Sequence, residues 1–234
     1  MPSVPPSAPY ADYMRLPELL SLRRPLDERV HPDEGLFQTV HQVNELLLAT
    51  AVDDLHRAVA HIRCDQLTPA AALLARASAI VDVATRALRL LARLTLRDYH
   101  LLRPALGNST AAASPAWSHT RRVLSRLDEV FDDYLTRADV DIVDVYRRGE
   151  PDTVHRLAET MIDLDSALAL WRFHHHLVAA RLVGTGATGT GGMPVDVLAT
   201  AIHSRAFNLL WQVRLLMTTG GHKDVGVAGE RGRP

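Results

Sequence analysis

Apolar residues recur every three or four positions along most of this chain, the period of helices with one buried face, while the two-residue alternation of half-buried strands is scarce. Leu36, Phe37, Val40, Val43, Leu47, Ala51 and Leu55 make the clearest such stripe. It predicts an amphipathic helix over 33 to about 63, with carboxylates in the first turn where the helix dipole favours them. Pro69 sits where a second helix should start, and the apolar spacing carries that helix from 67 to about 96. Val123, Leu127, Val130 and Phe131 mark the buried face of a third, over 116 to about 135. A long helical pattern covers 152–183, and another over 195–217 closes the fold. Residues 139–145 have the composition of a short extended piece, and 107–115, a Gly-Asn-Ser-Thr and alanine segment ending in Ser-Pro, reads as a loop. Four or five long helices with little strand signal predict an all-α bundle.

At 234 residues the chain suits one domain, expected over 10–217, between a proline-rich disordered arm at 1–9 and a glycine-rich disordered tail at 218–234. No uninterrupted apolar run approaches membrane-helix length and the start lacks a signal-peptide layout, so the expectation is a soluble, cytoplasmic protein. The formal net charge of -1, with acids and bases interspersed, leaves no electrostatic footprint for nucleic acid or an anionic membrane. Cys64 is the only cysteine, which excludes an intrachain disulfide and a cysteine-built zinc or iron–sulfur site. Lys223, the sole lysine, lies in the expected tail, so Schiff-base chemistry has no candidate.

Chemistry concentrates where a histidine-bearing helix runs into a loop of glycine and threonine, residues 184–192. His174, His175 and His176 are consecutive, so on a helix they point about 100 degrees apart and cannot hold one ion together. His175 shares its face with Leu168, Trp171, Val178, Ala179 and Leu182. An imidazole there reads either as a metal or haem-iron ligand or as a core histidine bonded to a carbonyl. His41, four residues after Phe37, reads either as structural or as a second polar group over the same cavity. The glycine loop is either a helix stop and linker or a set of backbone amides that closes over a small ligand. Ser114, Ser118 and Arg122 fall on one helical face; the arginine is a fork for a carboxylate or a solvated neighbour of Arg121. Asp53-x-x-His56 and Asp152-x-x-His155 offer a competing di-metal spacing, among charged, solvent-facing neighbours.

Taken in order, these motifs resemble the tryptophan 2,3-dioxygenase superfamily over nearly the whole ordered chain. The likeness begins at Tyr10-Ala-Asp-Tyr-Met-Arg-Leu-Pro-Glu-Leu-Leu-Ser-Leu22 and continues through His31-Pro-Asp-Glu-Gly-Leu-Phe37 and His41-Gln-x-x-Glu-Leu46. Arg97-Asp-Tyr-His-Leu-Leu-Arg-Pro-Ala-Leu-Gly107, the Ser114, Ser118 and Arg122 pattern, Trp171-Arg-Phe-x-His175, Arg181, Gly184 and Gly189-Thr-Gly-Gly192 complete it. The resemblance implies a helical bundle of that type that binds haem b, uses ferrous iron and dioxygen to oxidise an aromatic ring, and assembles as a homo-oligomer, a dimer or tetramer. By the same resemblance His175 would be the axial iron ligand with Trp171 beside the cofactor, and His41 the catalytic distal histidine. Phe37 would line the substrate pocket, Arg122 and Ser118 would serve the substrate carboxylate, with Arg121 and Arg103 as alternatives, and Thr190 its ammonium group. Tyr10, Tyr13 and Met14 would form an arm that completes a neighbouring subunit's pocket.

The chain departs from the family pattern at Leu47, Ala49, Arg121, Met193 and Pro194, carries one extra residue in the glycine loop, and is shorter by several tens of residues between Arg122 and Trp171. It is identified as a shortened, divergent member, expected to oxidise tryptophan or a substituted indole amino acid, as in natural-product biosynthesis. The alternatives are a haem-dependent monooxygenase that hydroxylates tyrosine or an indole, and a non-catalytic haem-binding or sensor protein.

Overall fold

The computed structural model describes residues 9–107, 114–149, 152–189, 192 and 194–219. The expected disordered segments therefore fall almost wholly outside the described residues. Among those described, ten α-helices and no sheet are present: α1 (Pro9–Tyr13), α2 (Leu16–Ser21), α3 (Glu34–Arg63), α4 (Leu67–Leu88), α5 (Leu96–Leu102), α6 (Pro115–Arg137), α7 (Ile142–Arg148), α8 (Thr153–Val183), α9 (Val195–Ile202) and α10 (Asn208–Thr219). The all-α expectation holds.

Helix α4 is the hub. It packs against α3 on one side and α8 on the other, while α6 packs on α3. Ala70, Ala77 and Ala84 recur every seven residues and are fully enclosed, so the neighbouring helices approach closely there. Leu48, Leu55 and Ile62 from α3, Leu74 and Val81 from α4, Leu127 and Phe131 from α6, and Leu157, Leu164 and Leu168 from α8 join in one core. The buried Asp54 carboxylate of α3 is held by the Arg76 guanidinium of α4, whose Nε donates at 2.6 Å and whose Nη2 donates to the other oxygen. Segment Leu67–Arg93 is long and apolar enough to cross a bilayer, although no uninterrupted apolar run advertised it. Within it, Ala70, Leu74, Ala77, Val81, Ala84 and Leu88 are enclosed in the core against the neighbouring helices.

Local signals set the helix ends. Ser114 caps α6 by accepting from the Trp117 N–H at 3.0 Å, Pro115 follows at the first turn, and Asp152 caps α8 through the His155 N–H at 2.8 Å. Thr95 and Asp98 form a capping box on α5. Three expectations are corrected. Residues 139–145 are not extended: Asp141 accepts from the Val143 N–H at 2.8 Å and starts α7, so a cap and the burial of Ile142 and Val145 override β-branched composition. The second long helix ends at Leu88 and tightens into a 3-10 turn over Arg89–Arg93. The closing helix over 195–217 is two, α9 and α10, broken where the fully buried Asp165 of α8 accepts from the Ala206 N–H at 3.1 Å and the Trp211 Nε1–H at 2.8 Å.

One surface of α6 is crowded with acids. Burial, then the neighbouring Asp132, Glu129 and Asp165, push the Asp128 carboxyl up to about 6. A carboxyl whose pKa is higher folded than unfolded stabilises the fold only while protonated, and that contribution is lost as pH rises through about 6. Asp128→Asn is therefore expected to raise the unfolding midpoint above pH 6, with the gain vanishing towards pH values of about 4, near the ordinary aspartate pKa. Urea midpoints at the two ends of that range check it; a gain independent of pH would contradict it.

Candidate functional site

Phe37 and His41 lie one turn apart on α3, their rings 4.3 Å apart, and the Tyr99 ring of α5 stands 6.2 Å beyond Phe37. The His41 Nδ1 is 2.8 Å from the Phe37 carbonyl. A carbonyl oxygen only accepts, so Nδ1 carries the proton, and the tautomer follows from the partner. Burial pushes the His41 pKa down, against the upward pull of that bond and of Glu45. The ring is thus neutral, with Nε2 left as a lone-pair acceptor.

Beside it opens a cleft of about 570 Å³ walled by Leu19, Leu22, Phe37, His41, Ala105 and Leu106. Several polar groups at its edge are already engaged. Arg24 pairs with Glu34 at 2.8 Å, Gln38 donates to the Leu22 carbonyl at 2.9 Å and accepts from the Arg24 N–H at 2.9 Å, and Gln42 donates to the same Leu22 carbonyl at 3.3 Å. Glu45 accepts from the Ala116 N–H at 3.2 Å, which fastens the start of α6 to α3. What remains is an apolar slot with an imidazole acceptor at one end.

On α8 the helical twist separates the three consecutive histidines. His174 meets Phe173 edge-on at 5.6 Å, and His176 keeps its Nδ1 buried with no hydrogen-bond partner among the described residues. His175 lies under Trp171, centroids 5.4 Å apart and planes within 14°, and Trp171 in turn stacks on Trp117 of α6 at 4.7 Å. The Trp171 indole N–H donates to Asn44 Oδ1 at 3.0 Å. Burial, followed by the nearby His41 and His176, drives the His175 pKa down to about 4, so this imidazole is neutral across the physiological range. It has no hydrogen bond to any described residue. The Trp171–Asn44 bond joins α8, which carries His175, to α3, which carries His41, and each histidine lies one turn from its end of that bond.

The donor set decides what such a site could hold. Among the described residues no group of three or more His, Cys, Asp or Glu could chelate an ion. A lone neutral imidazole lying against the Trp171 indole suits an iron whose other donors come with its own cofactor, as in haem. The di-metal spacing gathers nothing: Asp53 and His56 are exposed, and Asp152 is occupied in capping α8.

Other expected residues are less assembled. Ser118 is half-buried, while Arg121 and Arg122 are exposed with no side-chain partner among the described residues. Arg103 is engaged elsewhere, donating from Nη2 to the Thr188 carbonyl at 2.7 Å. Thr190 lies outside the described residues. The glycine segment around it is pinched by a bridge between Thr188 and Pro194 and by the Val195 N–H to the Ala187 carbonyl at 3.0 Å. Tyr10 and Tyr13 are 68% and 86% exposed and Met14 is exposed as well, so the arm stands off the body. The sequence reading assigned no role to Asn44, Trp117, Glu45 and Tyr99, although Glu45 and Tyr99 stand within the motifs that carry the resemblance. Asn44 shows in the sequence only as a polar residue one turn after His41, and Trp117 as an aromatic beside a helix cap.

No family model matches the chain. Curated relatives do. A tryptophan 2,3-dioxygenase of Caulobacter vibrioides is 31% identical over 257 residues, covering 88% of this chain and 97% of that protein. The tryptophan 2,3-dioxygenase of Bordetella parapertussis is 28% identical, covering 88% of this chain and 89% of its own length, and that of Pseudomonas fluorescens is 29% identical, covering 89% and 91%.

Proposed function

The chain belongs to the tryptophan 2,3-dioxygenase family, and from that premise we propose that it is a haem-dependent oxygenase that oxidises the indole ring of tryptophan or a substituted tryptophan at the cleft beside His41. The observation that carries this reading is the pair of half-buried imidazoles, His41 and His175, each one turn from the Trp171–Asn44 hydrogen bond that joins their helices.

Bound haem would supply the ferrous centre that activates dioxygen. His175 would hold that iron: burial lowers its pKa to about 4, which leaves the ring nitrogen's lone pair free of a proton near neutral pH. Trp171, stacked on it, restrains the plane of the ring and would form part of the cofactor wall. His41, with its Nδ1 proton committed to Phe37, presents Nε2 to the substrate, where it accepts the indole N–H and orients the ring. Phe37, Leu22 and Leu106 pack on the ring and keep water out. An indole needs one acceptor and an otherwise apolar slot, which is what Gln38, Gln42 and Arg24 leave by being engaged with their own neighbours.

Arg122 takes the substrate carboxylate, supported by its exposed guanidinium, which has no side-chain partner among the described residues, on the same face of α6 as Ser118. Thr190 is assigned to the ammonium group on the resemblance alone. Tyr10, Tyr13 and Met14 complete the pocket of a neighbouring copy in a soluble, cytoplasmic homo-oligomer, a reading supported by apolar side chains held clear of the body that carries them. Residues 10–217 act as one domain.

The test is product analysis. Haem-reconstituted protein is given tryptophan, tyrosine and a substituted indole under labelled dioxygen. A ring-opened N-formylkynurenine-type product carrying both labelled oxygens is expected. One labelled oxygen would move the chain to the monooxygenase alternative, and an unshifted Soret band with no product would leave only the haem-binding or sensor alternative.

A further inference from the structure

The helices that carry the two histidines are joined, among the described residues, by a single side-chain hydrogen bond, from the Trp171 indole N–H of α8 to Asn44 Oδ1 of α3. Its position is specific on both helices. Asn44 lies one turn after His41, and Trp171 one turn before His175. Both groups are buried, at 6% and 9% exposed. The amide is used at both ends, because its Nδ2 donates to the Val40 carbonyl at 3.0 Å. An indole N–H can only donate, so the orientation of the amide is fixed.

Asparagine is a poor helix former and costly to bury, and a leucine would continue the stripe of α3 without that cost. We propose that Asn44 is a positioning residue that acts through Trp171 as a strut. It sets the height and rotation of α3 against α8, so that His41 and His175 share one site without meeting. The inference rests on the haem reading above. Each helix packs on α4, so their mutual spacing along this edge is not fixed by direct backbone packing as the α3–α4 pair is. The strut also anchors the indole on which the His175 ring lies, with Trp117 closing the stack from α6. Without it, the side chains around the vacated amide relax inward and α3 brings His41 towards the iron held by His175.

The test reads iron ligation rather than turnover. Wild-type protein reconstituted with ferric haem should show ligation by one protein histidine and an open sixth position. Asn44→Ala should shift towards the low-spin absorption and electron paramagnetic resonance signature of two histidine ligands. If His41 occupies the sixth position in most molecules, cyanide affinity should fall roughly tenfold, in proportion to the fraction left open. Trp171→Phe removes the same bond while keeping a ring, and covers the case in which Asn44→Ala does not fold. The double variant Asn44→Ala with His41→Ala should return to one-histidine ligation, which a general loosening of the core would not produce. Wild-type spectra and wild-type cyanide affinity in both single variants would overturn the strut while leaving the haem reading intact. A wild-type protein that takes up no haem would overturn both.

Discussion

Protein carrying His175→Ala is expected to fold but to lose stable haem incorporation, with no Soret band surviving gel filtration after reconstitution. The replaced ring makes no hydrogen bond to a described residue and stacks on a single indole, so its removal leaves a gap beside Trp171 without orphaning a polar partner. The iron, in contrast, loses its one proposed protein donor. Added free imidazole should restore part of the absorbance by filling that gap. A second consequence separates His175 from its neighbours. With a folded pKa near 4 against an ordinary 6.5, His175 is neutral in the fold while the unfolded chain takes up a proton. Stability of the haem-free wild type therefore falls as pH drops from 6.5 towards 4, and the slope should be shallower in His175→Ala. A variant that retains the wild-type Soret band would remove His175 from the iron.

Asp165→Ala is expected to be the most destabilising single change outside the apolar core, at about 3–5 kcal/mol. The carboxylate is 0% exposed, and it holds the α9–α10 break through Ala206 and Trp211. It also faces the Arg172 guanidinium at 3.7 Å. Without it, the Trp211 indole N–H and the Ala206 N–H lose their acceptor, and Arg172 stays enclosed with the Ser204 carbonyl, at 2.9 Å, as its remaining partner. Desolvation already pulls the Arg172 pKa down, so an unpaired cation there is costly. Denaturant unfolding with the m-value held free measures the effect; a loss below about 1 kcal/mol would mean that water replaces the carboxylate.

The long helices were legible because each presents an apolar stripe at helical spacing, although on α3 the predicted Leu36, Phe37, Val43 and Leu47 are only half-buried and Leu48 takes a core place instead. Val123, Leu127, Val130 and Phe131 are enclosed on α6, as are Val40, Leu48, Ala51 and Leu55 on α3. Helix α7 was not, because Ile142, Val143 and Val145 favour strands by composition and only Asp141, by capping, tips the balance. The break between α9 and α10 was invisible for a different reason: nothing in 203–207 demands it, and its cause is Asp165, some forty positions away. At the site, helical geometry separated His175 from His174 and His176, and the four-residue spacing of Phe37 and His41 survived intact. Asn44 escaped notice because a polar residue in a stripe looks like an interruption until its partner, 127 positions along the chain, is in place. Arg103, one of three candidates for the substrate carboxylate, is instead turned towards the glycine segment.

That last contact bears on how the protein could be re-engineered. The arginine grips a main-chain oxygen, so residue 188 can change identity freely while the position of its carbonyl cannot. Ala105 and Leu106, two and three residues after the arginine, are wall residues of the cleft. A loop borrowed from a relative would therefore have to preserve the register at 188 before its composition mattered. One residue too many between 184 and 188 would present a different carbonyl to the guanidinium.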